Sequence, residues 1–428
     1  MEGFILFGIL LLFLFLRVPI AFASGLVALL YMLWSGLLPI EYAPLAAFQG
    51  LDSFTVLAVP FFIFAGQVMA RGGIAKYLLA LADTLLGALP GGYALTTVLG
   101  SLFFADLSGS AAASVSAIGT IMVPGMKGQG YNPAFAAAVA ACAGCLAVII
   151  PPSNPMILYG VATDTSIGRL FLAGFIPGAL VAISLMLPAF FISRKNNWRG
   201  SARRSSLRDV GKALWVAKWA LLIPIIILGG IYSGIFTPTE AGAVACLYAI
   251  FAGRYAYREF TWKEFPSIAR AGVITIVPIM IIISLATLFG QVVTLMGIPS
   301  HIAESLRQAS DNPLILLLLI NLFLLVVGMF METSAAIIIL SPILLPLAVA
   351  LGIDPVHFGM IMIVNLSIGF ITPPLGTNLF VASSISNVQS EKIFRAAVPF
   401  ALSLIIALAI IVIFPQTCLY LPNLYYGN

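Results

Sequence analysis

Charge is scarce in this sequence. Of its 428 residues only 8% are Asp, Glu, Lys or Arg, where a soluble domain carries roughly 25%. So few charges cannot make a soluble surface, which excludes a soluble enzyme and a nucleic-acid binder. Cysteine is scarce too. Cys142, Cys145, Cys246 and Cys418 all lie in apolar stretches, which excludes a secreted disulfide scaffold. The C-x-x-C of Cys142 and Cys145 encloses Ala143 and Gly144 and reads as small packing residues one turn apart rather than a redox or metal pair. No G-x-x-x-x-G-K-[ST] loop, H-E-x-x-H, G-x-S-x-G or TVGYG filter is present, and His301 and His357 are far apart. These absences argue against nucleotide hydrolysis by a phosphate loop, an intramembrane protease and a filter-type channel. The first residues lack a basic n-region and an A-x-A cleavage site, so their apolar run is expected to stay in the mature protein.

What is present is apolar: 61% of the chain. Stretches near the roughly 20 residues that a bilayer crossing needs recur from end to end. Segments such as 314–330 and 396–414 are apolar on every face, whereas barrel strands alternate. The fold class is all-α polytopic membrane protein.

The few charges fix a topology. Arg194, Lys195, Arg199, Arg203, Arg204, Arg208, Lys212 and Lys218 cluster in one segment, and Arg254, Arg258, Lys263 and Arg270 in another. The positive-inside rule makes both cytoplasmic. Two spans, about 214–236 and 241–255, fit between them. The basic run is read as topology rather than as a nucleic-acid site. Segment 171–192 then runs inward and 273–298 outward, and 299–312, with His301, Glu304 and Arg307, reads as an outer amphipathic surface helix. At the start, Arg17-Val18-Pro19 interrupts the apolar run, giving either two short crossings with Arg17 inside or one long kinked helix.

The two halves of the chain match at an offset of 222 residues. Pro124 pairs with Pro346, Asn132-Pro133 with Asp354-Pro355, Pro151-Pro152 with Pro373-Pro374, and Pro177 with Pro399. Proline fixes backbone irregularity, so the shared features are places where helices break. Arg194 follows the first copy's last span on the inside, and Lys392 and Arg395 precede the second copy's last span on the inside. The copies therefore cross in opposite directions, as an inverted-topology repeat, with sites expected near the midplane where discontinuous helices meet.

Each copy has two breaks. The segment about 95–125, centred on Asp106–Ser114, reads as a re-entrant hairpin with its tip at Ser108–Ser110, and about 314–351 as its counterpart with a tip at Met331–Ala335. Broken helices follow, at about 133–163 through Pro151–Pro155 and at about 356–385 through Thr372–Asn378. Proline leaves carbonyls without intrahelical partners, and in hydrocarbon these persist only beside protein or a wet cavity. Such carbonyls, with Ser, Thr and Asn oxygens, suit a small cation. The amides that open the next half-helix suit an anion. Together they point to coupled transport of an anion with sodium or protons. Glu332 is a carboxylate in an apolar stretch; it can carry a proton, balance sodium, bond a substrate hydroxyl, or cap a helix. Its first-copy counterpart is Ser110. Asp106 and Glu240 are weaker candidates, the latter a natural cap after Thr237-Pro238-Thr239. Asn321 and Asn365 read as interhelical hydrogen-bonding residues.

Several of these segments also carry a family resemblance: Ala58-Val59-Pro60-Phe61-Phe62-Ile63-Phe64-Ala65-Gly66, Ser108-Gly109-Ser110, Ile150-Pro151-Pro152-Ser153, Gly328-Met329-Phe330-Met331-Glu332 and Thr372-Pro373-Pro374-Leu375-Gly376. Over essentially its whole length the chain resembles the large membrane subunit of tripartite ATP-independent periplasmic (TRAP) transporters. The resemblance implies a multi-pass protein of the bacterial cytoplasmic membrane, a sodium symporter for organic anions and not an enzyme. It implies two partners: a smaller four-helix membrane subunit and a periplasmic substrate-binding protein. It implies an elevator-type fold with scaffold and transport domains. The divisions expected are 1–53 (N-terminal scaffold helices), 54–193 (an arm and repeat 1), 194–270 (basic loops and central scaffold helices) and 271–428 (repeat 2).

Carried onto this sequence, two or more sodium ions would be held by Ser108, Gly109, Ser110, Ser153 and Asn154 at one end, and by Glu332, Thr333, Ser334, Thr372, Gly376, Thr377 and Asn378 at the other. A small organic anion such as sialic acid or a dicarboxylate would sit near Ser108, Ser110, Ser114, Ser153 and Glu332. No arginine lies at these breaks, so the anion would rely on helix dipoles, hydroxyls and bound sodium. The alternatives are a stand-alone proton-coupled carboxylate carrier and a non-transporting membrane scaffold.

Overall fold

The structure, a computed structural model, describes residues 2–36, 38–198, 200, 205–298 and 313–427, with backbone alone for 2–4, 106–108 and 313. Among the described residues every regular element is helical. The chain opens with α1 (Glu2–Phe15), α2 (Ile20–Ser35) and α3 (Tyr42–Gln49). Arg17, at φ 62°, and Pro19, the N-cap of α2, separate the first two as distinct helices rather than one kinked helix. Next come α4 (Ala58–Arg71) and α5 (Ile74–Leu86), bent by 70° at Gly72-Gly73 into a pair that is together apolar enough to cross a membrane.

The first hairpin segment is α6 (Gly92–Ser108) followed by α7 (Ala111–Gly128). Then α8 (Pro133–Ala143) runs into a 3-10 turn (Gly144–Val148), stops at the prolines, and resumes as α9 (Asn154–Thr163). The long α10 (Ile167–Lys195) completes this half, and α11 (Leu207–Tyr232) and α12 (Pro238–Phe251) follow, the latter ending in a π-helical turn at Ala252–Ala256. The second half has α13 (Phe265–Leu295), α14 (Pro313–Phe330), α15 (Thr333–Ala350), α16 (Pro355–Gly369), α17 (Thr377–Ser386), α18 (Ser390–Ile413) and α19 (Gln416–Tyr426). Five single helices, α10, α11, α13, α15 and α18, are long and apolar enough to cross a membrane. The surface helix expected at 299–312 lies outside the described residues.

The 222-residue spacing recurs in local geometry. α7 and α15 have identical lengths and start 222 positions apart. Asn132 and Asp354 cap α8 and α16, each through its side-chain oxygen. Gly130 and Gly352 take φ values of 80° and 77°, and the Pro151-Pro152 and Pro373-Pro374 bonds are both cis.

Two sorts of surface divide the helices. α14 turns Leu314, Leu318, Leu322 and Val326 outward at every fourth position, a stripe suited to hydrocarbon. In contrast, α8 is buried on all sides from Phe135 to Ala143, and its run of alanines lets neighbouring backbones close in, as helix packing in membranes favours. The halves pack crosswise around α8 and α16. α7 of the first half lies against α17 of the second, and α15 of the second lies against α9 of the first.

Candidate substrate and cation site

The first hairpin turns at Gly109. This residue sits in the left-handed region at φ 53°, which glycine adopts without a steric penalty. Its missing side chain matters as much: a Cβ there would lie 2.9 Å from Asn154 Nδ2 and 3.2 Å from the Asn154 backbone nitrogen. Glycine therefore lets the tip rest on the opening of α9. Ser110 then caps α7 in an extended conformation, its hydroxyl accepting the Ala113 N–H at 3.5 Å. The side chain of Ser108 lies outside the described residues.

The first helix break is buried. Ser153 is the N-cap residue of α9, but its hydroxyl turns back and donates to the Val148 carbonyl at 2.6 Å. That bond satisfies a carbonyl the interrupted helix has released. Asn154 is also buried, under the first tip.

At the second tip, Glu332 is the N-cap of α15. One carboxylate oxygen accepts the Ala335 N–H at 3.2 Å and the other the Ser334 hydroxyl at 2.9 Å. The helix-cap reading of this residue is thus realised, while the residue stays exposed between α14 and α15. Thr333 beside it is buried. The Leu375 N–H reaches the Met329 carbonyl at 3.3 Å, which ties this tip to the second break. There Thr372 donates to the Ile368 carbonyl at 2.8 Å, Gly376 takes φ 44° ahead of α17, and Thr377 is exposed.

Asn378 links the halves. Its backbone N–H donates to the Phe370 carbonyl at 3.0 Å, and its Nδ2 donates to the Ala141 carbonyl on α8 at 2.9 Å. Gly144 marks where the elements converge. A Cβ on it would lie 3.1 Å from the Ala111 carbonyl of α7 and 3.1 Å from Asn378 Nδ2 of α17. Next to it the Cys145 thiol donates to the Ser367 carbonyl at 3.2 Å, a contact between positions that correspond at the 222 spacing.

Three helix N-termini, those of α7, α9 and α17, thus gather around Gly109 and Gly144. Each carries the partial positive charge of a helix start, a setting that favours an anion. The oxygens of Ser114, Thr333 and Asn378 (Oδ1) are buried with no hydrogen-bond partner among the described residues. Buried polar atoms are nearly always partnered, so each of these calls for a partner. They are neutral hard oxygens, suited to a cation such as sodium rather than to a thiolate- or imidazole-loving metal. No cluster of three His, Cys, Asp or Glu side chains occurs among the described residues.

Other bonds also shape the region. Asn365 donates through Nδ2 to both the carbonyl and Oδ1 of Asn321 at 2.9 Å, joining α16 to α14. Lys127, near the end of α7, donates to the Ser386 carbonyl at 3.0 Å and so caps α17. Sequence reasoning missed the second of these, since a lysine just after an apolar span reads only as a topology marker. Glu240 bonds the Thr237 N–H and hydroxyl in a capping box, as its sequence context suggests.

Residues 7–417 match the family described as the tripartite ATP-independent periplasmic transporter, DctM component. The chain is 46% identical over 395 residues to the isethionate TRAP transporter permease protein DctMQ of Oleidesulfovibrio alaskensis, covering 92% of this chain and 62% of that protein. It spans less than two thirds of that longer relative. It is 40% identical to the sialic acid TRAP transporter large permease protein SiaM of Vibrio cholerae, covering 97% of both chains. Against the C4-dicarboxylate TRAP transporter large permease protein DctM of Pseudomonas aeruginosa the identity is 43%, covering 88% of both. Among solved structures, Neisseria gonorrhoeae MtrF, described as illuminating a class of antimetabolite efflux pumps, superposes with a TM-score of 0.59 at 13% identity, covering 88% of this chain and 83% of that one. This last likeness is one of fold.

Proposed function

Since this chain belongs to the tripartite ATP-independent periplasmic (TRAP) transporter family as its large permease component, a multi-pass protein of the bacterial inner membrane, we propose that it carries a small organic anion inward by sodium symport. The observation that carries the reading is the meeting of three helix N-termini at Gly109 and Gly144, with the unpartnered oxygens of Ser114 and Asn378 on two of those helices. The helix ends stabilise the anion's charge. The neutral oxygens replace the hydration shell of sodium, whose own charge strengthens anion binding in a site poor in water. Sodium would be held at the first tip and break by Gly109, Ser110, Ser153 and Asn154, and at the second by Thr333, Ser334, Thr372 and Asn378. Glu332 stands at the rim of the second tip, where its carboxylate fixes the start of α15 and adds negative charge beside a bound cation.

The two halves cross the bilayer in opposite senses in this reading, so the site alternates between the two sides as the hairpins and broken helices move together against a scaffold. The anion arrives from a periplasmic substrate-binding protein, and a smaller membrane subunit completes the permease. Relatives named for isethionate, sialic acid and C4-dicarboxylates share the anionic headgroup that such a site requires. These ligands differ widely in body, so their choice is assigned to the binding protein.

The test is uptake into proteoliposomes holding this chain, its small subunit and the loaded binding protein. Radiolabelled anion should accumulate with an inward sodium gradient and stop when choline replaces sodium. Accumulation driven by a pH gradient alone, without the binding protein, would replace this reading with that of a proton-coupled carrier.

A further inference from the structure

We propose that the cytoplasmic corner where α11, α12 and the 252–256 turn meet is a binding strip for anionic phospholipid headgroups of the inner leaflet. The strip begins on α11. Lys218 holds its ammonium 3.4 Å from the Trp215 ring centre and 5.1 Å from that of Trp219. Trp215 is 70% exposed, so the pair faces the membrane side of the protein rather than its core. Arg208 and Lys212 precede Trp215 at helical spacing, which places them along the same face.

From Trp219 the ring contacts continue through Phe251 at 5.8 Å to Tyr255 at a further 6.1 Å. Over Tyr255 lies the guanidinium of Arg254, 5.5 Å from the ring centre. The Nε of Arg254 is buried and has no hydrogen-bond partner among the described residues. Tyr257 locks the two helices together, its hydroxyl donating to the Val216 carbonyl and accepting the Ala220 N–H, both at 3.1 Å.

The nearby carboxylates are engaged elsewhere. Asp209 accepts from Ser206, Glu259 from Tyr77, and Glu264 from Thr261. They keep their charges, but over 206–218 and 252–264 six basic residues stand against these three, so the strip is net positive. Aromatic rings settle at the level of lipid headgroups, and basic groups there attract the anionic inner leaflet. A phosphodiester would pair with the accessible side of the Arg254 guanidinium and with Lys218. Its acyl chains would follow the exposed Leu214 and Ile225 down α11. A soluble protein partner would not make use of that apolar continuation.

The experiment measures lipid retained by the purified full-length chain in detergent after exchange against mixed phosphatidylglycerol and phosphatidylcholine, read by native mass spectrometry. The parent should retain phosphatidylglycerol in several-fold preference. The triple variant Lys212→Gln, Lys218→Gln, Arg254→Gln should lose that preference, by roughly tenfold or more at a few-fold per basic group. Trp215→Ala, which keeps every charge, should lose part of it and guards against misfolding of the triple variant. The double variant Lys392→Gln, Arg395→Gln, equally cytoplasmic but elsewhere, should keep it. The proposal is overturned by unchanged preference in the triple variant, by equal loss in the Lys392/Arg395 control, or by inorganic phosphate competing as well as the lipid. Loss of small-subunit capture with lipid preference intact would overturn it as well, and would make the corner a protein interface.

Discussion

Ser110 and Glu332, at corresponding positions 222 residues apart, perform the same structural task. Ser110 is the N-cap of α7 and Glu332 that of α15, and each accepts a backbone N–H three residues on, from Ala113 and Ala335. Only one of them carries a charge. The halves therefore share a backbone device and differ in electrostatics at the tip.

That difference can be isolated. Glu332→Gln keeps an oxygen to accept the Ala335 N–H and removes the charge, so unfolding stability should change by no more than about 1 kcal/mol. Sodium-dependent uptake should fall by roughly tenfold, on the scale of a lost charge–charge interaction near a protein surface. Uptake equal to that of the parent would reduce Glu332 to a helix cap.

Gly109→Ala should destabilise the first tip by about 1–2 kcal/mol, because the left-handed backbone disfavours a side chain and the new methyl meets Asn154. Gly128→Ala, where a Cβ meets nothing within 4 Å, is the control and should be neutral or slightly stabilising. Thermal unfolding in detergent compares the two.

Asn378→Leu removes the donor to Ala141 and the free Oδ1 together. Loss of the buried bond should cost about 1–3 kcal/mol. Asn378→Asp keeps Oδ1 and adds charge while losing the donor. The sodium concentration for half-maximal uptake should rise sharply in the leucine variant and much less in the aspartate variant.

Lys127→Met keeps the length of the side chain and deletes its bond to the Ser386 carbonyl. A hydrogen bond from a charged group at a helix C-terminus contributes about 1–3 kcal/mol, and the melting temperature should drop accordingly. Val349→Met at the corresponding place in the second half, an exposed aliphatic position, should leave it nearly unchanged.

Thr261 holds the Glu264 carboxyl below the ordinary carboxylate range, through its backbone N–H first and its hydroxyl second. A lowered folded-state pKa stabilises above the unfolded value, near pH 4.3, and that stability is lost as pH falls through the folded value. Acid unfolding followed by tryptophan fluorescence should show this contribution lost below about pH 4. Thr261→Val, which keeps the backbone N–H and removes the hydroxyl, should weaken the acid-sensitive component in part, and Glu264→Gln should abolish it; an identical acid profile in Glu264→Gln would remove Glu264 from the account.

The places where helices break were legible because proline is a backbone constraint that any context must respect. Pro151-Pro152 and Pro373-Pro374 mark both interruptions, and Asn132 and Asp354 announce the helices leading into them. The caps were legible in part: Thr237 and Glu240 have the spacing of a capping box, whereas Glu332 could equally bind a cation, and only its bonds to Ser334 and Ala335 showed a cap. What could not be read were contacts between distant segments. Nothing local in Asn378 points to Ala141, nothing in Cys145 points to Ser367, and nothing in Lys127 points to Ser386. The 70° bend between α4 and α5 was hidden for a different reason, since its Gly-Gly pair looks like an ordinary loop until both flanking helices are seen to be apolar.

The crosswise packing of α7 on α17 and α15 on α9 has a consequence for biogenesis. A ribosome releases the first half long before the second, so α7 and α9 enter the bilayer with their eventual partners unmade. Until α15 and α17 are inserted, Ser114 on α7 and Asn154 at the opening of α9, both buried in the finished fold, lack the second-half helices that pack on α7 and α9, and in hydrocarbon such groups demand shelter. Water, translocase or lipid headgroups must serve as temporary partners, and the last third of the chain acts as an internal chaperone for the first.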